Sequence, residues 1–471
     1  MARNQHAVIW TRLSGVAEKM GNLVLSGEQA AFTYTERYLS SGRPGFCLLG
    51  DASIWGTDTV IYPISERIPV FPRLLNLIPG NNPRNLQRRH YLDLLRSQSG
   101  KEPPPGLETE WQLLVTGGHG GIGHIDVFPD DIVAEQWYRS NTSVRATDTR
   151  GSRRDTQESR KGQTSSGTIS PDSRSQLWRM LKNNVLDENI DFDPLILEET
   201  LGPTPSVGGM IPKLLVSIEP AAAQADFYPP GTKHKSDVVL KIEPPEYTGL
   251  LDLEALCLDI HREAGFEVPA YHRYDEGELH FLAVERFDHV DGRPVPMESL
   301  FSVIATGNHL FRGTGDILLN ELGDIIERLG QVAALKEDTG KQLYSRFLLA
   351  LLTGNGDLHL DNISLLGGLS DCRLAPVYDP APMRAWPRHN LVSAIPFDPA
   401  GYEDHGAFFV DLGRCFGLAK DQVRLCIHDA LDVTASCGER VMALKRVPLQ
   451  QREQLAAIMQ EERLVMKKYG Q

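Results

Sequence analysis

The chain has 471 residues, 41% hydrophobic and 23% charged, and its 48 Lys and Arg against 62 Asp and Glu give a formal net charge of −14. This is the balance of a globular enzyme of two or three domains, and it excludes a wholly disordered, collagen-like or coiled-coil chain. So negative a chain repels a phosphate backbone, which argues against stand-alone nucleic-acid binding.

Six cysteines, at Cys47, Cys257, Cys372, Cys415, Cys426 and Cys437, include no Cys-x-x-Cys pair. So sparse a set predicts neither a disulfide framework nor a zinc finger, and fits a reducing compartment. Met1 to His6 carry no apolar signal-peptide core. The longest apolar helical patch, Phe347 to Leu352, is far shorter than the roughly 20 residues of a membrane span. The expectation is a soluble, cytoplasmic protein without membrane association.

Residues 1–139 read as a β-rich subdomain. Ala7–Trp10, Leu23–Leu25, Ala31–Tyr34 and Trp111–Val115 are strand-like runs punctuated by Gly and Pro. Gly118-His119-Gly120-Gly121-Ile122-Gly123 matches the Gly-x-Gly-x-x-Gly pattern of dinucleotide folds. Strand-like His124–Pro129 follows it, where such a fold requires a helix. A glycine-rich turn is the better reading. Residues 140–175 are mostly Ser, Thr, Arg, Gly, Asp and Gln, the composition of a flexible insertion.

Residues 176–295 resume ordered structure. Pro212–Ile218, Val238–Ile242 and Leu279–Val284 read as strands, and Leu250–Gly265 as a helix stopped by Gly265. Residues 296–471 turn helical. Ile317, Leu318, Leu322, Ile325, Ile326 and Leu329 recur at helical spacing, as do Leu343–Leu352, and Gln451–Tyr469 closes the chain as an amphipathic helix.

The strongest chemical signal is Gly354-Asn355-Gly356-Asp357-Leu358-His359-Leu360-Asp361-Asn362, which follows a helix ending at Gly354. Asp357 and Asn362 have the Asp-x-x-x-x-Asn spacing of a kinase catalytic loop, where the Asp accepts a hydroxyl proton and the Asn holds Mg2+. Asp379, after the apolar run Ala375–Tyr378, suits a second magnesium ligand. Upstream, Lys241 closes a strand and suits nucleotide phosphates, and Glu254 on the next helix is placed to pair with it. Leu282–Asp288 reads as a strand entering a hinge that could hold adenine. Ser206-Val207-Gly208-Gly209, ahead of Lys213, is a small-residue loop whose amides can approach phosphates. His359 lacks metal-ligand spacing and reads as a brace for the catalytic loop.

Taken in order, these motifs resemble the HipA-like serine/threonine kinase toxins of bacterial type II toxin–antitoxin modules. The resemblance rests on Ala31–Tyr34 with Tyr38-Leu39, Ser206–Lys213, Glu285–Asp288, Asp357–Asn362 and Tyr378-Asp379. It implies an α+β, bilobal protein-kinase-like fold with a β-rich N-terminal lobe and a mostly helical C-terminal lobe. It also implies Asp357 as base, Asn362 and Asp379 as Mg2+ ligands, and Lys241 on the ATP phosphates. Glu285 and Phe287 would present backbone groups to adenine. Val207, Gly208, Gly209 and Lys213 would belong to the nucleotide loop, and Ser206 to autophosphorylation. The family's substrate is a glutamyl-tRNA synthetase, and its usual partner is a small helix-turn-helix antitoxin through which it reaches DNA. Ile211 stands where the family usually has Gln, and Met297-Glu298-Ser299 replaces a Gln-Glu-Asp-like run.

Two other readings stay open. Gly356-Asp357-Leu358-His359 with Asn362 also resembles the loop of aminoglycoside and choline phosphotransferases, with Asn355 in place of their first His. The altered loop at Ile211 also allows a catalytically weak ATP-binding co-repressor.

Overall fold

The computed structural model describes residues 4–82, 85–146, 211–220 and 226–470, with positions 179 and 181. The first sheet is antiparallel, with strand order β4-β3-β2-β1-β5. Its strands are β1 (Gln5–Thr11), β2 (Glu18–Ser26), β3 (Gln29–Tyr34), β4 (Thr59–Pro63) and β5 (Asp126–Phe128). A two-residue turn joins β2 to β3, with Gly27 at φ 63, as a tight hairpin requires. Along β3, Ala30, Phe32 and Tyr34 are buried and their neighbours are not, the period-two pattern of a sheet with one covered face.

The Trp111–Val115 run, expected as a strand, instead forms part of the helix Leu107–Gly117. Trp111, Leu114 and Val115 recur at helical spacing and enter the same core as the sheet. A short apolar run carries no period that separates strand from helix. The helix Asp131–Ala146 runs past residue 140, where the insertion was expected to begin. Residues 147–175 lie outside the described residues.

The second sheet has strand order β7-β6-β8-β10-β9. Its strands are β6 (Lys213–Ile218), β7 (Phe227–Tyr228), β8 (Ser236–Ile242), β9 (Tyr271–Glu276) and β10 (Leu279–Glu285). Leu214, Val216, Val238, Leu240, Phe281 and Ala283 form a core on one face. The helix Leu250–Glu263 covers the other. It sends Leu251, Ala255 and Leu258 onto Leu282 and Val284 of the sheet. Its second apolar stripe, Leu253, Leu256, Cys257 and Ile260, enters the core of the helical lobe. A helix apolar on both sides must be buried between two layers, and this one joins the lobes.

The helical lobe is built on Thr339–Thr353, whose Leu343, Tyr344, Leu348 and Leu351 are fully buried. Around it pack His405–Cys415, Lys420–Val433 and the long helix Leu449–Lys467. The helix expected from Ile317 begins only at Glu321; Ile317 is extended, and a turn at Leu319 and Asn320 leads into the helix. Ile317 is still buried, so the apolar spacing reported packing and overran the helix. A small sheet, β11 (Met297–Ser299), β12 (Ser364–Leu366) and β13 (Arg373–Leu374), holds the stretch that follows the Asp357–Asn362 loop. Among the described residues, no helix is long and apolar enough to cross a membrane.

Leu348→Ala removes a fully buried side chain from the central helix of this lobe. We expect a loss of about 2–5 kcal/mol in chemical denaturation. A loss below about 1 kcal/mol would mean that the central core is not where the packing puts it.

Candidate active site

The site begins with sheet register. Lys241 of β8 stands opposite Leu282 of β10 and opposite Lys213 of β6. Residues paired across an antiparallel ladder share a face, so both lysines point toward the helix Leu250–Glu263. Glu254 lies on that helix between Leu251 and Leu258, which face the sheet. The Lys241 ammonium therefore contacts Glu254 Oε1, and it also contacts Asp379 Oδ1. Lys213 Nζ donates to the other Asp379 oxygen at 2.7 Å. Lys241 is 3% exposed. Burial alone would lower its pKa, but Asp379 and Glu254 hold it above its ordinary value. Burial works to raise Asp379, yet Lys213 and Lys241 hold its carboxyl well below the usual carboxylate range.

Asp379 has φ 55, in the left-handed region that non-glycine residues adopt uncommonly and aspartate more readily than most. Its lysines fix the side chain. Tyr378 fixes the backbone: its hydroxyl donates to the Asp361 carbonyl at 2.7 Å and lies 2.6 Å from Ser364 Oγ.

The residues of the Gly354–Asn362 loop are held by a dense set of local bonds. Gly354 caps the preceding helix with φ 71. Asn355 Oδ1 accepts from the Asp357 amide at 3.1 Å, and the His359 amide donates to the Asp357 carbonyl at 2.8 Å. Asn362 Nδ2 donates to the same carbonyl at 3.0 Å, which leaves Asn362 Oδ1 as its free donor atom toward a metal. His359 Nδ1 accepts from the Asp361 amide at 3.2 Å, a bond within the loop itself. Burial raises the Asp357 pKa; His359 offsets part of that, Asp379 adds to it, and the net shift is upward. Burial likewise raises Asp361, against His359 and the Ser299 hydroxyl, which donates to it at 3.1 Å.

The expected hinge follows β10. Glu285 ends that strand, with its carboxylate 3.2 Å from His272 Nε2, and the Phe287 ring lies 5.6 Å from that of Tyr378. Ser206, Val207, Gly208 and Gly209 lie outside the described residues. The structure thus brings together Lys213, Lys241, Glu254, Asp357, His359, Asn362 and Asp379, with Glu285 and Phe287 at the strand exit.

Sequence reading missed one brace. Arg384 donates through Nη1 to Glu462 Oε1 at 2.7 Å, and its own amide donates to the Gly354 carbonyl at 3.2 Å. Glu462 also meets His405 Nε2 at 2.5 Å. The C-terminal helix is in this way tied to the start of the catalytic loop. No local motif marks the pair, because its members are 78 positions apart.

The hydrogen bond to Glu462 raises the His405 pKa above its ordinary value, although burial opposes it. Its stabilisation is therefore full below about pH 6.5 and lost as pH rises through the raised folded value. We expect His405→Gln to lower the unfolding free energy more at pH 6 than at pH 9. An equal loss at both pH values would show that the charge contributes nothing.

The family model described as the HipA-like C-terminal domain matches residues 205–437. A "Putative kinase" of Haemophilus influenzae is 25% identical over 255 residues, which is 46% of this chain and 69% of that protein. The "Putative kinase Y4dM" of Sinorhizobium fredii is 26% identical over 200 residues, 39% of this chain and 44% of that protein. Among solved structures, a Shewanella oneidensis MR-1 toxin–antitoxin complex of HipA, HipB and operator DNA matches with a TM-score of 0.59 and 18% identity, covering 98% of this chain and 97% of that one. At that identity the match establishes the fold, and it runs through the β-rich lobe as well as the helical one. Residues 205–437 are identified as a HipA-like C-terminal domain.

Proposed function

We propose that the chain is an ATP-dependent serine/threonine protein kinase with Asp357 as its base. The observation that carries this reading is the buried Lys241 ammonium held between Glu254 and Asp379, in one site with Asp357 and Asn362. A strand lysine, a helix glutamate and a metal-binding aspartate assembled together are what phosphoryl transfer needs. Asp357 takes the proton from the acceptor hydroxyl as that oxygen bonds to the γ-phosphorus and ADP leaves. Lys241 and Lys213 face the phosphates, and Glu254 positions Lys241. The Glu285 and Phe287 backbone receives adenine. Asn362 Oδ1 and the Asp379 carboxylate are hard oxygen donors that fit Mg2+, which would neutralise phosphate charge when bound.

Three features support a protein substrate over a small molecule. The β-rich lobe shares one continuous core with the helical lobe. The fold match to the Shewanella HipA complex covers almost the whole chain. At the position of the first His of small-molecule phosphotransferases, Asn355 is buried and caps the Asp357 amide. On this reading the acceptor belongs to a protein of the aminoacyl-tRNA synthetase class, and Ser206 is the autophosphorylated residue. The partner is a small helix-turn-helix antitoxin, the only route to DNA.

Incubation of the full chain with labelled ATP and magnesium tests the reading. We expect label on Ser206, mapped by mass spectrometry, and a loss of at least about 100-fold in rate for Asp357→Ala. Binding of ATP without turnover would favour the co-repressor, and transfer to an aminoglycoside or choline with no label on protein would favour the small-molecule enzyme. The base must be ionised to act, so activity falls as pH drops through its raised pKa. We expect the acid limb of kcat/KM to lie above the ordinary aspartate value of about 3.9. A limb at or below that value would assign the base to another group.

A further inference from the structure

The Gly118–Gly123 loop, which does not open a dinucleotide fold, has a different occupation. Its Gly123 amide donates to Asp288 Oδ2 at 2.7 Å. Its Gly121 carbonyl accepts from Arg286 Nη2 at 2.8 Å. Arg286 in turn donates to both oxygens of Asp288, through Nε at 2.9 Å and Nη2 at 2.6 Å. Both side chains are almost wholly buried, at 4% and 2% exposure. Burial works to raise the Asp288 pKa, but Arg286 overrides it and keeps the carboxylate ionised.

The loop is fixed from its own side as well. Asp126 accepts from the Gly120 amide at 2.6 Å and from the Tyr138 hydroxyl at 2.6 Å. Gly123 has φ 84, and an added Cβ would stand 2.5 Å from Arg73 Nη2. The left-handed backbone there favours glycine, and the Arg73 guanidinium would have to move aside for a Cβ.

Phe287 lies between the two clamped residues. The Glu285 amide donates to the Ala270 carbonyl at 2.8 Å, and the Arg286 amide to the Asp237 carbonyl at 2.9 Å. Among the described residues, the Phe287 amide donates to none. One free N–H therefore sits between anchored neighbours, at the strand exit where an adenine edge would need a donor.

We propose that the glycine loop clamps the hinge, with Arg286 and Asp288 as positioning residues that aim the Phe287 amide. This rests on the reading of Glu285–Phe287 as the adenine-binding hinge. A buried ion pair adds little net stability over a well-packed apolar pair, but it fixes geometry, and here the geometry fixed is that of the hinge. The N-terminal subdomain is thereby part of the nucleotide site without touching the nucleotide.

Hydrogen exchange of the full chain, read by mass spectrometry over residues 285–288 with and without ATP, is run beside ATP kinetics. We expect ATP to protect this segment in the wild type. We expect Asp288→Asn to raise the KM for ATP by about fivefold or more, with a smaller change in kcat, and to weaken that protection. Tyr138→Phe removes the hydroxyl that bonds Asp126 and should shift KM in the same direction by less. It carries the test if Asp288→Asn does not fold. Folded variants with wild-type KM and wild-type protection, even at a lowered melting temperature, would overturn the clamp. Absence of ATP protection in an active wild type would overturn the hinge reading itself, which is a separate result.

Discussion

Everything in the site depends on one buried ammonium. Lys241 sits between Glu254 and Asp379 with almost no access to water. Taking such a charge out of water costs several kcal/mol, and only well-placed opposite charges recover it. The pairing therefore constrains three separate pieces of chain at once. The β8 strand must present Lys241, the helix Leu250–Glu263 must stand with Glu254 inward, and the Tyr378–Asp379 segment must reach across from the helical lobe. A shift in any one leaves an uncompensated charge in the interior. Specific alignment, more than stability, is what this arrangement supplies.

The surrounding fold makes that alignment rigid. The helix carrying Glu254 is apolar on two sides and is wedged between a sheet and a helical core. It cannot rotate without exposing one stripe or burying the charged residue against hydrocarbon. Asp379 has a left-handed backbone and is held by Tyr378 on one side and two lysines on the other. The Gly354–Asn362 loop is held at its start by Arg384, which is itself held by the last long helix of the chain. Remote segments are in this way converted into fixed positions for a few polar atoms, which is the form that electrostatic preorganisation takes in a folded chain.

What could be read from the amino-acid order follows from the range of each interaction. The Asp357–Asn362 loop was legible because its bonds are local: Asn355 to Asp357, Asn362 to Asp357 and His359 to Asp361 all span five residues or fewer. The Lys241–Glu254 pair was legible because strand and helix are adjacent, so register decides the meeting. The Trp111–Val115 helix was misread because five apolar residues fit either period, and the choice is made by the core they enter. The residues Arg286 and Asp288 stood within the hinge motif, but their partners lie 165 positions away in the glycine loop. Arg384 and Glu462 are likewise joined only by the fold.

The same site has an internal charge logic. Lys213 and Lys241 oppose Glu254 and Asp379, so these four groups are mutually neutral, and Asp357 adds one negative charge that burial makes harder to hold. An anion entering the cleft meets two lysines whose present partners are carboxylates. A cation entering it meets Asp379, Asp357 and the free oxygen of Asn362. Neither alone can be accommodated without leaving the other sign unmatched, since each lysine released from Asp379 needs a new anion and each carboxylate released needs a new cation. The arrangement therefore favours a ligand that brings both signs together, as a polyphosphate and a divalent ion do, and disfavours either one by itself.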